Sequence, residues 1–275
     1  MTTDTINQTP ILEVINLRKE FGGLVAVNNV SFSVAPKEIL AVIGPNGAGK
    51  TTIFNLICGI HPVEGGDIRL LGQSIKGLLP SAIARRGLAR TFQNLQIFDN
   101  MTVLENIMVG RHTRTRAGLL ASALRWPSAQ AEEKQVRVEA LHYLEMVGLQ
   151  DKAEVMANAL SFGQQRLVEI ARSLAMQPQF LMLDEPAAGL VSQEVEALVE
   201  LIRRIRDEDV AILLVEHDME MVMAVADRIV VIHYGEKLAE GRPAEIQANE
   251  EVIRAYLGDE TVWDLSHLRQ ESPHA

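Results

Sequence analysis

Hydrophobic positions are spaced in distinct ways along this chain, and each spacing predicts a different part of the fold. From Ile11 to about Ile43 apolar and polar residues alternate, as in "VSFSV", with "APKE" as a turn. A period of two predicts an antiparallel β layer with one face buried. "ILAVIG", ending at Gly44, is instead a continuous apolar run, as expected for a strand buried on both faces. "FLMLDE" at 180–185 and "AILLVEH" at 211–217 repeat that pattern, each after a helical segment. Alternation of buried strands with helices predicts a parallel sheet in an α/β fold.

The middle of the chain reads differently. From about Thr102 to Ser173 no comparable strand occurs, and segments such as "AEEKQVRVEALHYLEMVGL" carry helical spacing, broken around "RWPS". A helical subdomain, about 94–176, inserted in the α/β core accounts for this most simply. Later, "RIVVIHYGEKLAEG" predicts a hairpin turning near Tyr234 and Gly235. Residues 1–9 are polar and precede Pro10, which predicts a flexible tail. Residues 259–275 show weak periodicity and read as a surface appendage, leaving 10–258 as the folded domain.

Composition narrows the function classes. The chain has 275 residues, 47% of them hydrophobic, enough to bury a full core. With a formal net charge of −10, no general nucleic-acid surface is expected. The single cysteine, Cys58, excludes an intramolecular disulfide framework and sits in the apolar "TIFNLICGI", where it reads as core. No apolar run reaches the roughly 18 residues of a membrane span. The N-terminal stretch lacks a basic region followed by an apolar one. These features predict a cytoplasmic protein whose membrane role, if any, comes through a partner.

"GPNGAGKT", Gly44-Pro45-Asn46-Gly47-Ala48-Gly49-Lys50-Thr51, lies between a buried strand and a helical pattern and matches the phosphate-binding loop. The glycines let backbone N–H groups face a β-phosphate, and the helix N-terminus adds partial positive charge. Lys50 can reach β- and γ-oxygens, the Thr51 hydroxyl can ligate Mg²⁺, and Thr52 follows in the first helical turn. "FLMLDEP" supplies the companion acid: Asp184 at a strand end would hold Mg²⁺ directly or through water, and Glu185 would orient or deprotonate the attacking water.

His217 ends the third buried strand, placed for a hydrogen bond to the γ-phosphate, although a lone histidine is more often structural. Gln93, in "RTFQNLQIF" after a short strand "GLART", can ligate Mg²⁺ or touch that water; a surface-loop glutamine is the commoner thing. "SFGQ", Ser161 to Gln164, opens another helix and fits a capping box, with Leu167, Ile170, Ala171 and Leu174 as its buried stripe. Capping accounts for Ser161 and Gln164 but not for Gly163, which weakens a first turn by about 1 kcal/mol.

Taken together, "GPNGAGKT", Gln93, "LSFGQQR", "LMLDEP" and His217, in that order, resemble the ATP-binding cassette (ABC) ATPases over about Ile11 to Gly258. The resemblance implies a P-loop NTPase core with a parallel sheet, an N-terminal antiparallel β layer and an inserted helical subdomain. It implies ATP and Mg²⁺ as ligands, and two cassettes packed head to tail. In such a pair Ser161, Gly163 and Gln164 of one subunit act on ATP held by the other. Phe21 matches the aromatic that stacks on adenine, and Ala26 falls where a small apolar residue meets the same ring.

Two positions depart from the pattern. Phe162 replaces a usual glycine, so its ring must point away from nucleotide. Val191 replaces the usual Asp or Asn in a loop that crosses the dimer, which puts inter-site coupling in question and predicts ATP binding with reduced hydrolysis. Within the family, "FGGLVAVNNVSF", "GLARTFQNLQIFDNMTVLENIMVG", "DEPAAGL" and "VVIHYGEKLAEGRPAEI" resemble the ATP-binding subunits of branched-chain amino acid importers. That resemblance implies a second related cassette (or a second copy), two membrane permeases and, indirectly, a periplasmic binding protein, with a peripheral place on the inner membrane face. A groove at roughly residues 93–115 would receive a permease helix. Cassettes of urea or amide importers, lipid-linked exporters, or a weakly hydrolysing regulatory module are the alternatives; an ABC ATPase acting on DNA or ribosomes lacks support from composition.

Overall fold

The computed structural model describes residues 9–111 and 127–257. Two sheets form the frame. The smaller is antiparallel, in the order β2 (Leu24–Val34), β1 (Leu12–Phe21), β4 (Gly65–Leu70), β5 (Gln73–Ser74). The alternation at 11–34 does make half of this layer. Its other half comes from 65–74, which alternates too briefly to stand out, while 39–43 leaves it for the second sheet.

The second sheet has the order β10, β9, β3, β8, β7, β6. Strands β3 (Ile39–Ile43), β7 (Phe180–Asp184) and β8 (Ala211–Val215) are buried at every position, the physical reason for their unbroken apolar runs. With β6 (Leu88–Arg90) and β9 (Arg228–His233) they pair in parallel. Only β10 (Glu236–Gly241) runs back, through a turn at Tyr234 and Gly235. The register sets Val42 and Asp184 both beside Val215, so the C-terminal ends of β3, β8 and β7 open on one edge.

Helices cover both faces. Helix α1 (Lys50–Ile57) fills the space between the sheets with Ile53, Phe54, Leu56 and Ile57, alongside Leu17, Val30 and Met182. On the other face lie α3 (Val103–Arg111), α4 (Pro127–Met146), α5 (Phe162–Ala175) and α6 (Ser192–Asp207), joined by Leu104, Ile107, Leu144, Ile170 and Leu198. Each such side chain contributes about 1.5–3 kcal/mol of burial. Gly110 lets α3 approach α5, since a Cβ there would lie 2.1 Å from the Arg172 carbonyl oxygen. Short helices α2 (Pro80–Arg85), α7 (Met219–Val225) and α8 (Pro243–Gln247), then α9 (Glu250–Leu257), complete the described residues.

Between Thr102 and Ser173 the described residues hold helices and one isolated bridge, Thr102 to Met156, and no strand. Of "RWPS", Pro127 begins α4, and Arg125 and Trp126 lie outside the described residues, as do both expected tails apart from Thr9. No helix among the described residues is long and apolar enough to cross a membrane.

Candidate active site

The loop after β3 folds as its glycines dictate. A Cβ at Gly44 would stand 2.1 Å from the Ile232 carbonyl oxygen on β9, and one at Gly49 2.5 Å from that of Ala26. Gly49 also takes a φ of 105°, the left-handed region that glycine occupies without strain, and starts α1 with no side-chain cap. The loop is anchored from outside: Gly235 N–H donates to Ala48 O (2.9 Å), and Asn28 N–H to Gly235 O (2.7 Å). Lys50 is nearly buried, its ammonium donating to the carbonyls of Gly44 (2.6 Å) and Pro45 (3.0 Å). Burial pushes its pKa down, opposed by the nearby Glu185 and Asp184 carboxylates.

Glu185 follows β7 at a φ of 47°, unusual for a residue with a side chain, held by its N–H on Val215 O (2.8 Å). Its carboxylate has two partners. Gln93 Nε2 donates to Oε2 at 2.8 Å, and His217 Nε2 lies 3.1 Å from Oε1. These three side chains, with Ala26 and residues 46–52, line one cavity of about 320 Å³. The strand order β3, β8, β7, β6 is what converges them, because Glu185, His217 and Gln93 lie within three residues of the C-terminal ends of β7, β8 and β6, beside the loop that follows β3.

Asp184, the last residue of β7, is buried, with Oδ2 accepting from Arg90 Nη2 at 2.7 Å. Arg90 also donates to Asn55 Oδ1 (2.8 Å) and sits between the rings of Phe54 and Phe92. This pairing commits one oxygen of the expected metal ligand. Sequence reasoning missed Arg90; its signal is a basic residue inside a strand run, "GLART". It missed Glu216 as well. That buried carboxylate accepts from Ala187 N (2.7 Å), His217 N (2.7 Å) and Asp218 N (3.2 Å), tying the Glu185 loop to the His217 loop. Burial raises its pKa above the usual carboxylate range against the pull of those N–H groups.

The remaining candidates stand outside the cavity lining. Phe21 is half-exposed, its ring edge-on to His61 at 5.2 Å. Ser161 caps α5: its hydroxyl accepts from Gln164 N (3.3 Å), and Gln164 Oε1 accepts from Ser161 N (3.2 Å), a complete capping box. Gly163 is covered by Glu194, whose Oε1 would lie 2.4 Å from an added Cβ. The Phe162 ring packs on Gly189 in the loop after Glu185 and over the Arg166 guanidinium. Val191 starts α6 with an exposed side chain, while Glu194 Oε2 accepts its N–H (3.1 Å).

For Mg²⁺ the oxygen donors suit a hard cation: Thr51 and Gln93 line the cavity, and Asp184, outside that lining, is buried next in the chain to Glu185. Comparison with known proteins identifies the family. Residues 27–188 match the family model described as ABC transporter, and 236–262 one described as branched-chain amino acid ATP-binding cassette transporter. The chain is 47% identical over 251 residues to the high-affinity branched-chain amino acid transport ATP-binding proteins BraF of Pseudomonas aeruginosa and LivG of Escherichia coli. Each alignment covers 91% of this chain and 98% of the relative. The ADP conformation of MJ1267, an ATP-binding cassette of an ABC transporter, superposes with a TM-score of 0.80 at 30% identity, covering 92% of this chain and all of that one. A nucleotide-free ATP-binding cassette from an ABC transporter superposes at 0.75 and 31%, covering 94% and 99%. With its phosphate loop, acidic strand end and histidine converging on one cleft, and with these likenesses over nearly its whole length, the chain belongs to the ATP-binding cassette ATPases of ABC transporters.

Proposed function

We propose that this chain binds and hydrolyses ATP to energise a membrane importer for branched-chain amino acids. The convergence of Gln93, Glu185 and His217 at the open start of α1 carries the ATPase reading. The 47% identity to BraF and LivG supports the substrate.

The residues divide the work as follows. Lys50 exchanges the Gly44 and Pro45 carbonyls for phosphate oxygens, and the N–H groups of Gly47, Gly49, Lys50 and Thr51 surround the β-phosphate, that of Ala48 being held by Pro45 O. Phe21 moves onto the adenine, with Ala26 beside it. Thr51, Gln93 and Asp184 would hold Mg²⁺, which would supply charge neutralisation on the phosphates. The Arg90 pairing on Oδ2 leaves the other oxygen of Asp184 for that task. Gln93 leaves Glu185 free to accept a proton from the attacking water. His217, with its proton on Nε2, donates toward the γ-phosphate.

Two cassettes pair head to tail, each offering Ser161, Gly163 and Gln164 to the other's ATP. Partners are a second cassette, related or identical, and membrane permeases, with a periplasmic binding protein acting through them; the chain sits peripherally on the inner membrane face. Exposed Phe98, Met101 and Met156, near Gln93 in the chain or paired across the Thr102 bridge, support a permease contact there. Residues 112–115 of the expected groove lie outside the described residues.

The test is ATP-dependent uptake by vesicles carrying this chain with the permeases that co-purify with it. Leucine uptake supports the reading; uptake of urea or amides alone, or lipid-linked export, rejects the substrate. Exposed Val191 favours a second reading, a cassette that binds ATP but hydrolyses it slowly.

A further inference from the structure

One face of α5 grips the loop that carries Gln93. Arg166 and Glu169 are each 1% exposed and pair at 2.9 Å. Arg166 donates from Nη1 to Phe92 O (2.8 Å) and from Nη2 to Gln93 O (3.0 Å), and Glu169 Oε1 accepts from Phe92 N (3.2 Å). One and a half turns from Arg166, Arg172 donates to Gln96 O and stacks over Phe98. The same helix begins at Ser161, and its Phe162 ring rests on Gly189 in the Glu185 loop.

A fully buried ion pair is a poor way to gain stability, because desolvating two charges offsets their attraction, and an apolar pair packs as well. What this pair supplies is direction. The guanidinium fork bridges two successive carbonyls while the carboxylate takes the Phe92 N–H just before them, so the main chain of Phe92 and Gln93 has one position relative to α5.

We infer that Arg166 and Glu169 are positioning residues that lock the Gln93 main chain to α5, so that a shift of Gln93 at its own nucleotide moves Ser161 and Gly163, the helix start offered to the opposite site. This inference rests on the proposed ATPase function. It supplies a coupling route between sites that does not pass through Val191, whose side chain has no hydrogen bond to contribute.

The experiment compares the full-length chain with Arg166→Met/Glu169→Met, which removes both charges together and keeps the volume, and with Arg166→Lys, which keeps the charge without the fork. ATP binding, turnover with co-purified permeases and backbone hydrogen exchange at 161–165 with and without ATP are read in each. Failure of the parent chain to bind ATP rejects the proposed function itself. Given a binding parent, the double variant is expected to keep its ATP affinity within about threefold while turnover falls about 10²-fold. ATP then no longer alters exchange at 161–165, and Arg166→Lys falls short of the parent in the same readout. Parental turnover with a parental exchange response in the double variant overturns the inference. So does a loss of turnover matched by an equal loss of ATP affinity or by unfolding, which marks the pair as structural only.

Discussion

Helices α1 and α5 both start beside the residues expected to meet phosphate, yet they are finished in opposite ways. Helix α1 opens with left-handed Gly49, no side-chain cap and no acid in its first turn, so nothing of the chain's own competes for its N–H groups. Helix α5 opens with Ser161 and closes a capping box on itself through Gln164. An anion arriving at α1 meets a prepared site, with only Lys50 to be drawn off two carbonyls. An anion arriving at α5 must compete with a cap of about 1 kcal/mol. The first geometry suits a ligand held in every cycle, the second a contact made only when a partner closes. Helix α6 is a third variant, where Val191 brings no cap and Glu194 covers its N–H instead.

The largest expected effect separates binding at α1 from chemistry. Glu185→Gln should lower turnover by about 10²–10⁴-fold and leave ATP affinity near the parent value, as phosphate release and nucleotide titration will show. It should also accumulate cassette pairs, visible as slowed hydrogen exchange at 162–164; if it hydrolyses ATP like the parent, Glu185 is not the base.

Next comes the open helix start. Lys50→Met should weaken ATP binding by about 1.5–3 kcal/mol without lowering the melting temperature, since it removes a charge that burial disfavours. In the parent, ATP affinity should fall as pH rises through the depressed Lys50 pKa, below the ordinary 10.5, because only the ammonium donates to phosphate. An affinity flat over that range in the parent would mean that Lys50 does not bear on the nucleotide.

At the capped start, Ser161→Ala should cost about 1 kcal/mol of stability, read by denaturant unfolding, and should also reduce turnover of the paired cassette. Loss of stability alone would leave Ser161 as a cap and nothing more. The smallest effect is at α6: Val191→Asp should add up to about 1 kcal/mol through a new N-cap and raise hydrolysis. Unchanged ATPase and transport rates would show that Val191 does not limit coupling.

Much of this is legible in the sequence. Unbroken apolar runs gave β3, β7 and β8, and "GPNGAGKT" placed Gly49 and Lys50 between a strand and a helix. "SFGQ" foretells the capping box between Ser161 and Gln164. Phe162, an awkward ring where glycine is usual, was unexplained until Gly189 appeared beneath it. Arg90, Glu216, Arg166 and Glu169 were invisible as site residues because a charged side chain in a strand or helix gives no sign of being buried.

Local chemistry therefore determined the elements and the residues at their ends, since periodicity, glycine geometry and capping act within a few residues. Only the tertiary structure decided that β8 lies between β3 and β7, bringing His217 to Glu185 and Gln93, and that Arg166 and Glu169 reach back 73 to 77 residues to the Gln93 loop. Strand order and buried polar partners depend on which distant surfaces exclude water together, and no window of sequence contains both sides of that contact.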